Sequence, residues 1–253
     1  MQLSNVLRQT PYFKGKARLL HTLCPRGREV EAELFGSRVR LDLSNYIERS
    51  AYLGVFEPEE TRLIASFLKP GMVVFDVGAN IGYYTLLTSP LVGPTGSVYA
   101  FEPSSYAFNK LTRAVKENRL TNVRTFKLAL GAQEGELELS PCIEGNHTPN
   151  LLEGGGEKIH VTTLDSFVRE HSIQRIDFLK MDVEGFEPFV VEGGRNSFSS
   201  GLVRAVLCEF SATWLERSGH APKRMYQDFL SMGFRPATPF YPDVPILNVL
   251  FMR

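Results

Sequence analysis

The chain has 253 residues, of which 43% are hydrophobic and 22% charged, and its formal net charge is zero. This length and balance are typical of a globular protein with one large core, and they disfavour a nucleic-acid binder that relies on a positive surface. The scattered Cys24, Cys142 and Cys208 show no metal-ligand spacing, so a reducing compartment is expected. We find no apolar run near the roughly 20 residues that cross a bilayer and no secretory signal, so we predict a cytoplasmic location and no transmembrane segment.

The first part of the chain differs in pattern from the rest. Basic side chains scattered over residues 1–30 predict a peripheral amphipathic helix, with contact to a membrane surface or a partner as the alternative. Alternation of apolar and polar residues over 31–43 predicts an exposed strand or hairpin. We therefore predict an N-terminal extension over residues 1–50, with a helix and a strand pair, and a single domain over residues 51–253.

From residue 58 onward helical and strand patterns alternate. Pro58, two acids and an apolar spacing of four predict a helix over 58–69. The predicted strands that follow begin at Val73 and then cover Ser97–Phe101, Val123–Leu128, Gly131–Ser140, Ile159–Thr162, Ile176–Met181, Leu202–Phe210, Phe234–Thr238 and Ile246–Met252. Such alternation predicts a doubly wound α/β fold with a parallel sheet. The last two strands have no helix between them, which predicts one antiparallel member.

Acidic residues end several of these strands. Asp76 ends the first strand of the sheet, Glu102 follows the second, and Asp182 follows Ile176–Met181. Ligands of open parallel sheets bind beyond the carboxyl ends of the strands. A carboxylate there can accept hydrogen bonds from both vicinal hydroxyls of a ribose, so we predict that Glu102 is the ribose ligand.

The glycine turn after the first strand selects among nucleotide cofactors. Gly78 and Gly82 lie four apart, and Asn80 stands where a dinucleotide-binding motif has its central glycine. The nearby Asp76 would repel a pyrophosphate, whereas it would tolerate a cationic cofactor without phosphate. S-adenosylmethionine fits that description, and a dinucleotide-dependent oxidoreductase is the alternative.

Several segments, taken in order, resemble the FkbM family of S-adenosylmethionine-dependent methyltransferases. The matching segments are Gly54–Glu59, Val73–Thr85, Ala100–Pro103, Ala129–Gly131, Leu164–Asp165 and Lys180–Gly185. The resemblance covers roughly residues 40 to 252. It implies a class I methyltransferase fold, a Rossmann-like seven-stranded sheet with the last strand antiparallel.

The resemblance also implies positions for the cofactor. The residues it places around the methionine part are Asp76, Gly78, Asn80 and Gly82, with Glu102 on the ribose and Ala129 and Leu130 by the adenine at the end of the third strand. Glu57, in the segment that precedes the first helix, is assigned to the cofactor site as well. Asp182 is expected to contact the amino-acid part of the cofactor.

Methyl transfer to a hydroxyl needs a general base near the methyl group. Asp182 and Glu184 lie two apart at a strand end, and Glu184 is predicted as the base or substrate anchor; capping of the next helix is the alternative. His147, in a polar loop, is a second candidate base, with simple exposure as the alternative. Asp182, Glu184 and Glu209 could hold a divalent metal, although we do not favour one.

The predicted function is therefore S-adenosylmethionine-dependent O-methylation, with S-adenosylhomocysteine as product. The resemblance implies a hydroxyl acceptor on a sugar, glycan or natural product, hence a small-molecule or glycan partner and no nucleic acid. Trp214 is a candidate for stacking on the acceptor. Transfer to RNA, protein or an amine remains an alternative, and fold alone does not identify the acceptor.

Overall fold

The computed structural model describes residues 16–24, 27, 29–139, 149–150 and 156–253. The helices are Lys16–Leu23 (α1), Tyr46–Leu53 (α2), Pro58–Phe67 (α3), Tyr83–Val92 (α4), Ser105–Glu117 (α5), Leu164–Glu170 (α6), Glu187–Gly193 (α7), Arg195–Ser199 (α8), Ala212–Arg217 (α9) and Pro222–Ser231 (α10). The strands are Glu29–Leu34 (β1), Ser37–Asp42 (β2), Val73–Val77 (β3), Ser97–Phe101 (β4), Val123–Phe126 (β5), Ala129–Leu130 (β6), Gly135–Leu139 (β7), Pro149–Asn150 (β8), Glu157–Thr162 (β9), Phe178–Met181 (β10), Ala205–Ser211 (β11), Arg235–Pro236 (β12) and Ile246–Met252 (β13).

A seven-stranded sheet in the order β12-β13-β11-β10-β3-β4-β5 forms the centre of the molecule. The five strands from β11 to β5 are parallel, and β13 runs antiparallel to β11. The predicted sheet with an antiparallel last strand is thus confirmed. The chain passes from β3 to β4 on one side and later returns to β10 on the other, so the topological switch point lies at the carboxyl ends of β3 and β10.

The strand β3 is buried on both faces. Phe75 and Val77 belong to one hydrophobic cluster, whereas the intervening Val74 belongs to the cluster on the other face. This alternation follows from the two-residue period of a strand. Covering layers on both faces explain why the first three residues of β3, Val73–Phe75, are all apolar.

The expectation that Ala129 and Leu130 end the third strand was wrong. The strand β5 stops at Phe126, and Ala129–Leu130 forms β6, which pairs with β9 in a separate four-stranded sheet of order β6-β9-β7-β8. The chain bends at residues 127–128, without a glycine or proline to mark the change. The break depends on pairing with Val161 and Thr162, more than 30 residues away, and local sequence carries no signal for it.

The N-terminal segment packs onto the sheet layers. The strands β1 and β2 form an antiparallel hairpin whose turn contains Phe35 and Gly36, both with positive φ. Leu34 and Leu41 of the hairpin lie in the same hydrophobic cluster as Val74 of β3. The domain boundary at residue 50 stays a prediction. Among the helices described, none is long and apolar enough to cross a membrane.

Candidate active site

A cavity of about 330 Å³ lies at the carboxyl ends of β3, β4 and β10. The predicted site residues that line it are Glu57, Gly78, Asn80, Glu102, Ala129, Leu130, Asp182 and Glu184. Trp214 and Glu209 also line it. Asp76 and Gly82 lie close by without forming part of the wall, and His147 lies outside the described residues.

The glycine turn brings the end of β3 against the segment after β10. Gly78 has φ +84°, and a Cβ on it would lie 1.9 Å from the backbone oxygen of Asp182. No other residue type allows this approach. Asn80 also has positive φ, and its Oδ1 accepts a 2.8 Å hydrogen bond from Ile81 N.

Gly82 has a packing role. It precedes α4, and a Cβ on it would lie 2.7 Å from Cδ1 of Leu111 on α5. The second glycine therefore allows α4 and α5 to pack closely beside the cavity, and it lies behind the residues that form the wall.

Glu102 presents a fixed carboxylate to the cavity. Its Oε2 accepts a 2.8 Å hydrogen bond from Asn80 N, and its Oε1 accepts one of 2.8 Å from Ser104 N. Burial raises the pKa of this carboxyl to about 7. Each carboxylate oxygen retains a further acceptor position, so the arrangement can receive two hydroxyl donors.

Asp76 lies beneath the glycine turn and is 1% exposed. Its Oδ2 accepts a 2.6 Å hydrogen bond from Thr85 Oγ1, whereas Oδ1 is buried without a hydrogen-bond partner among the described residues. Burial raises the pKa of this carboxyl. The acidic side chain that the sequence analysis placed at the turn therefore lies behind the cavity wall, where burial disfavours its charged form.

A buried lysine, missed from the sequence, balances the acids. Lys180 Nζ lies 2.6 Å from Asp182 Oδ2 and 4.6 Å from the centre of the Tyr84 ring. Burial lowers the pKa of Lys180, but the carboxylates of Asp182 and Glu57 raise it by more than burial lowers it. The net shift of this pKa is therefore upward, and the side chain stays an ammonium. The available signal was a lysine within the apolar run Phe178–Met181.

The capping role considered as the alternative for Glu184 is seen at Glu187. Glu187 Oε1 accepts hydrogen bonds from Val183 N at 2.9 Å and from Gly185 N at 3.3 Å, so Glu187 caps the turn before α7. Glu184 has φ +54° and lines the cavity. Burial, followed by the nearby Asp182 carboxylate, raises the pKa of Glu184 to about 8. Positive φ at a non-glycine residue is strained and is enriched at functional sites.

The electrostatics of the cavity favour a cationic, phosphate-free ligand. Lys180 is the one basic side chain among the described residues of the wall, and Asp182 already neutralises it. Acids line the wall at Glu57, Glu102 and Glu184. A pyrophosphate would find no unpaired cation there, whereas a sulfonium or ammonium group would be stabilised.

The chain is similar to a known protein family and to individual proteins with assigned names. The chain matches the family described as the Methyltransferase FkbM domain over residues 76–236. It is 28% identical over 157 residues to the hexuronic acid methyltransferase AglP of Haloferax volcanii, across 62% of this chain and 63% of AglP. It is 27% identical over 191 residues to the 2-O-methyltransferase NoeI of Sinorhizobium fredii, across 67% of this chain and 75% of NoeI. The match therefore spans less than two thirds of the length of AglP.

A solved structure shares the fold. The crystal structure of methyltransferase FkbM from Methylobacillus flagellatus superposes with a TM-score of 0.51 at 15% identity, covering 82% of this chain and 55% of that one. At this identity the likeness concerns the fold alone, which is the Rossmann-like arrangement of the central sheet.

Proposed function

Because the chain belongs to the FkbM methyltransferase family, we propose that it transfers a methyl group from S-adenosylmethionine to a hydroxyl oxygen of a sugar, glycan or natural product. One observation carries the proposal. The cavity at the switch point combines the anchored carboxylate of Glu102 with an acidic wall whose one described cation is already paired. Such a wall suits a ribose attached to a cationic group without phosphate.

The residues divide the cofactor between them in this proposal. Glu102 binds the ribose hydroxyls, and Ala129 and Leu130, which also line the cavity, contact the adenine. Gly78 and Asp182 border the amino-acid part, where close backbone approach leaves room for it. Their arrangement supports binding of S-adenosylmethionine and release of S-adenosylhomocysteine.

S-adenosylmethionine supplies an electrophilic methyl group, so the protein must orient the acceptor and remove its proton. Glu184 is the proposed base, because it lines the cavity and its pKa of about 8 lies near neutral pH. A base is most effective when its pKa lies near the operating pH. Trp214, on the same wall, offers an aromatic face on which a sugar ring can stack.

Two similar proteins and the residues of the cavity wall together support the proposed class of acceptor. AglP is named for hexuronic acid methylation and NoeI for 2-O-methylation, which supports a sugar hydroxyl as acceptor. Among the described residues that line the cavity, no basic side chain is unpaired and available to the phosphates of RNA or of a dinucleotide. We therefore favour a glycan or small molecule over either.

Calorimetry with S-adenosylmethionine and with a nicotinamide dinucleotide tests the cofactor. We expect saturable binding of the first and none of the second, and the absence of S-adenosylmethionine binding at millimolar concentration would refute the proposal. A screen with methyl-labelled cofactor against free sugars, glycans and RNA tests the acceptor. Label recovered on RNA alone would contradict the assigned class.

A further inference from the structure

Three carboxylates converge at one side of the cavity. Asp182, Glu187 and Glu209 each offer one oxygen, and these oxygens all lie within 4.8 Å of one another. The residues come from three segments, the end of β10, the start of α7 and the strand β11. Because Met181 pairs with Cys208 in parallel register, the next residues, Asp182 and Glu209, lie side by side.

The spacing of the three oxygens suits a divalent cation. Magnesium binds oxygen at about 2.1 Å and calcium at about 2.4 Å, so oxygens on opposite sides of one ion are roughly 4 to 5 Å apart. Adjacent ligands are closer. The 4.8 Å limit that contains all three oxygens is therefore compatible with ligands shared by a single ion.

Glu187 gives independent evidence for a missing partner. It is 1% exposed, and its Oε1 accepts both backbone donors of the preceding turn. Its Oε2 is fully buried and has no hydrogen-bond partner in the described part of the chain. An unpaired buried carboxylate oxygen is costly. Since Oε1 is already occupied, Oε2 is the atom available to a ligand.

We propose that Asp182, Glu187 and Glu209 bind one divalent cation with a preference for oxygen ligands, such as Mg²⁺. Asp182 and Glu209 line the cavity, so an ion held by these residues would border it. The ion pair with Lys180 uses Oδ2 of Asp182 and leaves Oδ1 for coordination. The cation site is inferred from these contacts alone and does not depend on the proposed function.

The role of the ion rests on the proposed function. A divalent cation held by Asp182, Glu187 and Glu209 would act as a Lewis acid and would favour loss of the proton from a nearby acceptor hydroxyl. The proton passes to Glu184, the oxygen lone pair forms the new bond to the methyl carbon, and the sulfur–methyl bond breaks to give S-adenosylhomocysteine. An acceptor with a second oxygen beside the reacting hydroxyl, as in a sugar diol or a hydroxy acid, would bind the ion through both.

Binding of Mn²⁺ to the full chain tests the site without any methyl transfer. After treatment with EDTA and dialysis, free Mn²⁺ is measured by electron paramagnetic resonance in the absence of cofactor and acceptor. We expect one saturable site. Glu187→Gln retains an oxygen for the backbone donors and should weaken Mn²⁺ binding at least about tenfold, as should Glu209→Gln.

Glu192→Gln is the matched control, because Glu192 lies on the same helix and is exposed. It should bind Mn²⁺ like the unmodified chain. Absence of saturable binding would overturn the site and would fit carboxylates that share a proton instead. Unchanged binding in both variants, with circular dichroism showing a native fold, would also overturn it, because Mn²⁺ would then be bound by other residues. Calorimetry with S-adenosylmethionine in EDTA separates the two proposals, since it tests the cofactor without metal.

Discussion

At the scale of single residues, the strongest assignment is Glu102. Its two oxygens are held by Asn80 N and Ser104 N, so the carboxylate is oriented before any ligand arrives. Preorganised acceptors avoid the entropy of ordering a side chain on binding. The sequence identified the residue from its position after a strand, and the structure adds the donors that fix it.

Replacement of Glu102 tests the ribose assignment. Glu102→Ala removes two charge-assisted acceptors, so S-adenosylmethionine affinity should fall by about 2–4 kcal/mol, or roughly 30- to 1,000-fold, by calorimetry. Glu157→Ala is the matched control, because Glu157 also accepts a backbone hydrogen bond, from Ser105 N at 2.9 Å, without lining the cavity. Equal affinity losses in the two variants would contradict the assignment.

The pKa of Glu102 predicts a pH-dependent stability of the ligand-free protein. Burial raises this pKa from 4.5 to about 7. The folded state therefore binds the proton more tightly than the unfolded state, and stability present below pH 4.5 is lost as pH rises through 7. Between pH 5 and pH 8 the loss is about 2 kcal/mol.

Glu102→Gln has no proton to lose and should lack this contribution. From pH 5 to pH 8 the unfolding free energy of the unmodified chain should therefore fall by about 2 kcal/mol relative to that of the variant. Urea denaturation at several pH values measures it. A difference that stays constant across this range would count against the raised pKa.

At the scale of elements, the strand–turn–helix unit from β3 to α4 depends on one close contact. Gly78 and Gly36 have nearly equal positive φ, +84° and +82°, yet only Gly78 has atoms within 4 Å of an added Cβ. Substituting each glycine therefore separates the cost of the positive φ from the cost of a clash with the Asp182 backbone. This pair therefore shows whether the turn is constrained by its own conformation or by its neighbour.

Gly36→Ala should cost about 1 kcal/mol from the left-handed conformation alone. Gly78→Ala should cost several kcal/mol, about 3 or more, because the backbone after β10 must move, and cofactor binding should be lost. Denaturation and calorimetry measure the two effects. If both variants lost similar stability, the close approach would have no energetic importance.

At the scale of the whole molecule, the N-terminal segment and the sheet share one hydrophobic cluster. Glu48 strengthens the junction, since it is fully buried and accepts hydrogen bonds from Asp42 N, Tyr106 Oη and Lys110 Nζ at 2.6 to 2.8 Å. Tyr106 and Lys110 belong to α5, beside the cavity. The N-terminal segment and the elements around the cavity should therefore unfold together.

Glu48→Ala leaves a backbone donor and the Lys110 ammonium unpaired, so unfolding free energy should fall by about 3 kcal/mol. Glu31→Ala removes only the exposed pair with Arg40 and should change it by less than about 1 kcal/mol. Chemical denaturation should show one transition in both variants. Separate unfolding of residues 29–53 ahead of the sheet, seen by hydrogen exchange, would argue against a shared core.

The sequence by itself determined the order of strands and helices, the glycine turn and the acids at strand ends. These features are local, because a strand, its turn and the residue that follows it are contiguous, and the short apolar runs fix what is buried. The fold, and the place of Glu102 at the cavity, could be predicted for this reason. Family membership was also readable from segments that keep their order.

Only the tertiary structure decided which side chains meet. Glu187 and Glu209 lie in separate elements, yet each brings a carboxylate oxygen to within 4.8 Å of one from Asp182. Lys180 adds its ammonium to Asp182 from within the apolar strand β10. The metal set considered from the sequence contained Glu184 in place of Glu187 because spacing alone does not show which way a turn directs its side chains. Ala129 and Leu130 likewise changed sheets through pairing with β9. Long-range pairing and the backbone conformation of turns, both invisible to local patterns, account for these differences.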